Sequence, residues 1–469
     1  MPQTERFDVV VIGAGVAGFS AATALAERGA RVCVVEARPT LGGRAASHRD
    51  PVTGDVVDNG QHILMGCYRE TFAFLRRVGS DAGVRLQAAL EVPIIDRQGA
   101  LSTLACPALP SPWHLLGGVV EWSALGWRDR LSVVGVGRAI RMEQRRLRGK
   151  TERLAASPGE TVENWLVRNG QTARVRELLW DPLALAAMNQ PPSEAGATAF
   201  VRVLADVFGP DARDAAIGLP AVPLSDLFVE PARRFVEARG GAVRANALSR
   251  VVVENGRAVG VQPRSGAFVG SDVVISTVPW HALPALFETV PPPLAGVVER
   301  AGRMKDYPIV TVNLWFDRPV LDTPFVGLPG REMQWIFDKR ALFDGAASHL
   351  ALIASGAAHL VGRPNRDIVD LALRDVRSAI PSSSAAALRH ASVIRERGAT
   401  FSVAPGEPDR PACATGLPGF FLAGDWTDTS LPGTIESAAL SGHQAAHAAG
   451  IGDRCGERAL RGLVPHPNP

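Results

Sequence analysis

Cysteine is sparse and scattered: Cys33, Cys67, Cys106, Cys413 and Cys455 are the only five, and no two form a C-x-x-C pair. Their spacing excludes a disulfide-stapled scaffold, a zinc ribbon, c-type haem attachment and thioredoxin-like chemistry, and it fits a reducing cytosol. No run of about 20 apolar residues is free of charge and proline, so a membrane-spanning helix is not expected. The nearest approach, Trp113 to Trp127, is interrupted by Glu121. Net charge is only +3 over 469 residues, too little to imply a nucleic-acid partner. Lysine is almost missing, with Lys150, Lys305 and Lys339 the only three. There are two tyrosines, Tyr68 and Tyr307, and no G-x-S-x-G hydrolase elbow.

What remains describes a globular enzyme, soluble or peripherally attached, at 46% hydrophobic and 21% charged residues. The length allows two domains. Residues 7 to 36 read as strand, turn, helix, strand: an apolar run Phe7 to Ile12, an alanine-rich helix Ala17 to Arg28 and a β-branched run Arg31 to Glu36. The apolar opening feeds straight into the glycine turn, so it reads as a strand rather than a secretory signal. From Val92 to Val222 the pattern turns helical and proline-punctuated, as an inserted domain would. A helix from Glu230 to Ala238 leads into four strand-like runs between Ala242 and Thr277. Residues 281 to 400 mix strands, such as Ile309 to Phe316 and His349 to Ser355, with a helix from Arg366 to Ala379. Gly419 to Ala449 reads as strand, Gly-Asp turn, loop and helix, and a poorly ordered tail is expected from Gly452. The expected architecture is α/β: a Rossmann-like domain (1–90, 223–280 and 405–451) carrying an inserted mixed α+β domain (91–222 and 281–404).

The turn Gly13-Ala14-Gly15-Val16-Ala17-Gly18 sits between strand and helix, where a pyrophosphate is held. Gly13 permits the tight turn, Gly15 lets backbone approach the phosphates, and Gly18 lets helix and strand pack closely, while the helix N-terminus offers amides to the anion. Glu36, 18 residues past Gly18, is placed for a ribose diol, and its charge disfavours a 2′-phosphate. The ligand is therefore FAD or NAD rather than NADP. Ala37 and Arg38 follow, then Leu41-Gly42-Gly43-Arg44, a second bare backbone segment with a guanidinium for the pyrophosphate. Near the end come Gly424-Asp425, for a ribityl hydroxyl, and Thr434-Ile435-Glu436 opening a helix toward the flavin pyrimidine edge. These pieces select FAD, so the Rossmann-like domain is expected to be an FAD-binding domain of glutathione-reductase type and the inserted domain to be the substrate domain. Taken singly, Asp425 reads better as a turn residue and Glu436 as a first-turn acid favoured by the helix dipole.

In that order, the pieces resemble the FAD-dependent amine oxidase and carotene desaturase superfamily across nearly the whole chain. The resemblance implies that Leu248 marks the strand contacting adenine and that Asn59, Gly60, Gln61 and His62 lie along the isoalloxazine. Thr311 stands where an amine oxidase carries its lysine, and Thr434 where it carries a cage tyrosine, so an amine substrate is disfavoured. The loop before Gly433 holds neither Cys nor His, which implies non-covalent FAD. Ala399-Thr400-Phe401, Pro405-Gly406, Arg410-Pro411 and Phe421 to Trp426 are similar to phytoene and carotene desaturases. Gly42 to Ala45, Arg49 to Gly54, Asp58 to His62, Gly66-Cys67-Tyr68 and Leu224 to Phe228 look most like the squalene-associated desaturases, the hydroxysqualene dehydroxylases.

That family implies reductive conversion of hydroxysqualene to squalene in hopanoid biosynthesis: the protonated hydroxyl leaves and the allylic cation takes hydride from flavin N5. His62 is then the candidate acid, with Gln61 orienting the hydroxyl; equally, both residues could bond only flavin or backbone. Asp58 reads as a loop-fixing carboxylate and Cys67 as a packing residue. Alternatives are a carotene or squalene desaturase running the flavin in the opposite direction, an amine oxidase, or a non-redox prenyl-binding protein of the Rab escort type. One dinucleotide fingerprint leaves the electron donor unidentified. His443 and His447 have metal-binding spacing but no third ligand, so no metal is expected. From Trp113 to Arg153, Trp113, Trp122, Trp127, Leu131, Val133 and Val134 accompany Arg138, Arg141, Arg145, Arg146, Arg148 and Lys150. That is either a membrane-docking face or a packed helix with a solvated basic side. The expected location is the cytoplasm, with peripheral contact at the inner face of the cytoplasmic membrane as the docking alternative.

Overall fold

A computed structural model describes residues 5–109, 113–343 and 348–450; the tail from Gly452 and Cys455 lie outside the described residues. The opening unit forms as strand Val9–Ile12, helix Val16–Glu27 and strand Val32–Val35. Uniformly apolar, mostly β-branched runs suit strands covered on both faces, and both strands are buried throughout. They pair in parallel, Val9 opposite Val32 and Ile12 opposite Val35. Distant segments complete the sheet. Ala242–Arg244 lies beside Val32–Val35, Val274–Ser276 beside Val9–Ile12, and Phe420–Leu422 at the far edge, all parallel. Five strand ends therefore share one edge, where ligands of open α/β sheets bind.

The final helix, Ile435–Ala448, packs on Val16–Glu27. Contact is close because Gly442 has no side chain: a Cβ there would lie 2.3 Å from the Ala17 carbonyl oxygen. Ser20 Oγ donates across the interface to the Ala439 carbonyl at 2.7 Å.

A seven-stranded sheet forms the second body, in the order Leu388–Phe401, Asp306–Phe316, Ser348–Ala354, Trp335–Asp338, Phe325–Gly327, Glu91–Ile95, Leu101–Ala105. Alternation along Asp306–Phe316 sends Val310, Val312, Leu314 and Phe316 into the core under helix Asn365–Ala379. Thr311, Asn313 and Trp315 face the opposite way. Helices Trp113–Glu121, Trp127–Leu147, Val162–Arg168, Asp181–Met188 and Ala197–Val207 form a shared core with Leu104, Phe337, Ala351 and Ile353 of this sheet.

The stretch from Val92, expected to be helical, begins instead as the hairpin Glu91–Ile95 and Leu101–Ala105. Its turn is built by Asp96, whose Oδ1 accepts the amides of Gln98 and Ala100 at 3.0 and 2.9 Å, and by Gly99 at φ 84°.

Candidate functional site

Strand Val9–Ile12 ends in Gly13, at φ 105°, whose amide donates to the Val35 carbonyl at 2.8 Å. A Cβ on Gly18 would sit 2.0 Å from the Gly13 carbonyl oxygen, so only glycine lets this helix start so near its strand. Gly15 differs. Among the described residues, a Cβ there would meet no atom nearer than the Gly42 carbonyl oxygen at 3.9 Å, which leaves bare backbone facing open space. Gly15 is also the helix N-cap, and it offers no side-chain cap. The first turn, including Val16 and Ala17, carries no acid, so free amides and the helix dipole are available to an anion.

Glu36 closes the turn from the neighbouring strand. Its Oε2 accepts the Ala14 amide and its Oε1 the Arg38 amide, both at 2.9 Å. Ala37 and Arg38 are exposed beyond it. The Glu36 carbonyl takes the Ala247 amide at 2.7 Å, and Leu248, half-exposed, follows just before strand Ser249–Glu254.

Gly42 and Gly43 fold against the first turn: the Gly42 amide donates to the Ala14 carbonyl at 2.8 Å, and Gly15 bridges to Gly42. Arg44 and Asp425 form one unit. Arg44 Nη1 and Nη2 reach Asp425 Oδ2 and Oδ1 at 2.9 and 2.5 Å, and Nη1 also reaches the Ala399 carbonyl at 2.6 Å. Two carboxylate oxygens offer about four acceptor sites, so Asp425 retains capacity for a hydroxyl. Gly424 turns at φ 129°, its amide held by Ser441 Oγ at 2.8 Å. Thr434 caps the final helix by accepting the Ser437 amide, and Ile435 opens it.

The Glu436 side chain has a different job from the cofactor contact expected of it. It is buried, and it accepts the amides of Glu70 and Thr71 at 3.0 and 2.9 Å and Thr71 Oγ1 at 2.7 Å. It thus caps helix Arg69–Val78, whose own N-cap, Tyr68, makes no side-chain cap. Burial raises its pKa against these hydrogen bonds. His443, weighed as a metal ligand, instead contacts Glu70 Oε2 at 2.6 Å.

The loop Asn59 to His62 leaves strand Val56–Asp58, and the Asn59 amide donates to the Ala46 carbonyl. Gly60 lies against Thr311, whose hydroxyl oxygen is buried without a hydrogen-bond partner among the described residues. His62 Nδ1 is 2.8 Å from the Gly60 carbonyl, which can only accept, so Nδ1 carries hydrogen and Nε2 a lone pair. Burial holds this imidazole below its usual pKa; the Gly60 bond and Asp58 oppose that shift, and Arg44 and Lys339 add to it.

Lys339 is the residue that sequence reasoning missed. Its Nζ donates to Asp58 Oδ2 at 2.8 Å and to Gln61 Oε1 at 2.6 Å, and the side chain is buried. A lysine two residues past the apolar run Trp335 to Phe337, in a chain with three, was the available signal.

Beside this loop opens a cavity of about 520 Å³. Its wall is mostly apolar, including Ile63, Met65, Leu90, Val92, Ile94, Leu104, Leu178, Leu179, Val203, Phe208 and Trp335. Ile63 and Thr434 bring it to the residues that follow His62 and precede Ile435. The exposed lining residues Arg69, Leu147, Arg148 and Pro210 mark its opening.

Fold and site together define a flavin-dependent oxidoreductase. The family of flavin containing amine oxidoreductases matches residues 16–449, and the chain belongs to it. More particularly, it is 30% identical over 452 residues to the hydroxysqualene dehydroxylase of Sinorhizobium fredii (strain NBRC 101917 / NGR234), covering 94% of this chain and 97% of that one. It is 25% identical to the 15-cis-phytoene desaturase of Synechococcus elongatus, covering 94% and 95%. A crystal structure of an oxidoreductase from Methanosarcina mazei shares the fold at a TM-score of 0.72 and 17% identity, covering 94% of this chain and 99% of that one. FAD is the cofactor, and the bare cradle at Gly15 and the unpartnered Thr311 hydroxyl suit it.

Proposed function

We propose that this chain removes the hydroxyl of hydroxysqualene reductively to give squalene, a step of squalene and hopanoid biosynthesis. The observation that carries it is a largely apolar cavity lined by Ile63, the residue that follows the polar pair Gln61 and His62. Such a site suits one alcohol on a long hydrocarbon, and the Sinorhizobium relative bears the corresponding name. Bound non-covalently and reduced, FAD supplies the hydride that replaces the hydroxyl. The amides of the Gly13 to Gly18 turn, Glu36 and Asp425 hold the dinucleotide. Gly42 to Arg44, Asn59 to His62, Leu248 and Thr434 to Ile435 complete its envelope. The apolar wall holds the chain and excludes water. His62 is the catalytic acid in its protonated form: Nδ1–H stays anchored on Gly60, and Nε2, which carries a lone pair in the neutral ring, takes up the proton that leaves with the hydroxyl as water.

In this account residues 1–90, 223–280 and 405–451 hold the cofactor, and 91–222 with 281–404 hold the substrate. The two main sheets support that division. Entry of substrate is from an anionic membrane surface. Among the described residues no helix is long and apolar enough to cross a membrane. Trp113 and Trp127 are 61% and 67% exposed on adjoining helices, with Leu131 and Val134 also exposed, and helix Trp127–Leu147 reaches the cavity opening at Leu147. Trp122 and Val133, grouped with that face from sequence, are buried core residues at 1% exposure. Arg146 is paired with Glu143.

The test is product analysis after anaerobic incubation of chemically reduced protein with hydroxysqualene, and of oxidised protein with phytoene. Squalene from the first arm is expected. A longer conjugated polyene from the second, with hydroxysqualene untouched, would mean a desaturase.

A further inference from the structure

Lys339 is 281 residues from Asp58 in sequence, yet its ammonium is held from three sides. Asp58 Oδ2 and Gln61 Oε1 accept from it, and Nζ lies 3.8 Å from the centre of the Phe343 ring. Asp58 is itself anchored, its other oxygen taking Ser47 Oγ at 2.7 Å and the Leu224 amide at 3.1 Å. A chain of fixed contacts thus runs from the backbone at Leu224 to the Gln61 amide.

An amide has an oxygen end and an NH₂ end of nearly equal shape, and an ammonium has donors only. At 2.6 Å only the Gln61 oxygen can face Lys339, so the NH₂ is turned away from it. Among the described residues that NH₂ makes a single long contact, 3.4 Å to the His62 carbonyl. We propose that Lys339 is a positioning residue that fixes the polarity of Gln61, so that the site meets a substrate hydroxyl with one N–H donor, from Gln61, and one lone pair, from His62 Nε2. A hydroxyl oxygen accepts the first and its hydrogen satisfies the second, whereas a hydrocarbon leaves both unpaired. Lys339 therefore sets the preference for the alcohol over its deoxygenated product. The inference rests on the hydroxylated polyprenoid proposed above.

The test measures dissociation constants for hydroxysqualene and squalene from perturbation of the oxidised flavin spectrum, so that no turnover intervenes. The protein is compared with Lys339→Met, with Lys339→Met/Asp58→Asn, which removes both buried charges, and with Gln61→Glu, which keeps a partner for Lys339 but has no N–H. The unaltered protein is expected to prefer the alcohol by roughly 10- to 100-fold, the worth of one or two buried hydrogen bonds. In all three FAD-loaded variants the preference falls to within about 3-fold of unity, while squalene affinity holds. A merely structural role would weaken FAD loading and both ligands alike. Gln61→Glu carries the test if the Lys339 variants do not load FAD. Retention of the preference in any loaded variant, or its absence from the unaltered protein, overturns the proposal. A protein that prefers the alcohol yet makes no squalene would overturn the proposed reaction and leave the role of Lys339 standing.

Discussion

Glu36 joins two backbone amides to one carboxylate, so its replacement tests the cofactor site at a single atom pair. Glu36→Gln keeps the shape but loses charge-assisted acceptance at one position; FAD affinity is expected to fall roughly 10- to 100-fold, following about 1.5–3 kcal/mol for such bonds, read by titrating apoprotein with FAD. At His62 the depressed pKa gives the pH profile a sign. The protonated form is scarce near neutrality, so single-turnover rate should climb as pH falls below the usual histidine value, and His62→Gln should cost on the order of 10²- to 10⁴-fold and flatten that rise. His349 titrates differently. It is stacked on Trp315 at 4.2 Å and 2.8 Å from Asn313 Oδ1, and its pKa is pushed down to about 3 by burial, with Lys339 adding to this and Asp58 and Asp50 opposing it. An unfolded chain takes up this proton earlier, so the stabilisation is full above the ordinary value of 6.5 and is lost as pH falls toward about 3. In urea unfolding, His349→Phe should lose stability less steeply across that window. Of these residues only Glu36 and His62 were legible, because their partners are local. Lys339 draws its meaning from a loop on the far side of the sequence.

At the scale of elements, the strand-turn-helix at Gly13 to Gly18 was readable because each glycine has its own steric reason within six residues. The structure separates those reasons into a prediction. Gly18→Ala collides with the Gly13 carbonyl and should lower both the unfolding midpoint of the FAD-free protein and its FAD affinity. Gly15→Ala meets open space within the protein; it should leave the FAD-free stability within roughly 0.5 kcal/mol while weakening FAD, as calorimetry with and without FAD would report. Glu436 shows the opposite case. Its place in a helix first turn was visible, but the helix it caps begins at Arg69, 366 residues from it at Glu70. The Arg44–Asp425 pair, 381 residues apart, was likewise seen as two separate contacts. Hairpin Glu91–Ala105 was hidden because its outer partner, Phe325–Gly327, arrives from much later in the chain.

At the scale of the molecule, the order of cofactor segments along the sequence disclosed the α/β fold, since each is a local strand-to-helix junction. The seven-stranded sheet was less legible, because it collects strands from residue 91 to residue 401. The helices Trp113–Glu121 and Trp127–Leu147 belong to this scale too. Changing Trp113, Trp127 and Leu131 together to Glu should cut sedimentation with phosphatidylglycerol vesicles by roughly 10-fold or more without moving the unfolding midpoint, because these side chains leave the core untouched. The central claim is that the flavin's electrons end in the carbon that bore the hydroxyl. An anaerobic single turnover of reduced protein with hydroxysqualene, following flavin oxidation beside squalene formation, tests it most directly. One flavin oxidised for each squalene formed is the expected result; flavin that stays reduced while hydroxysqualene is recovered intact would contradict the account.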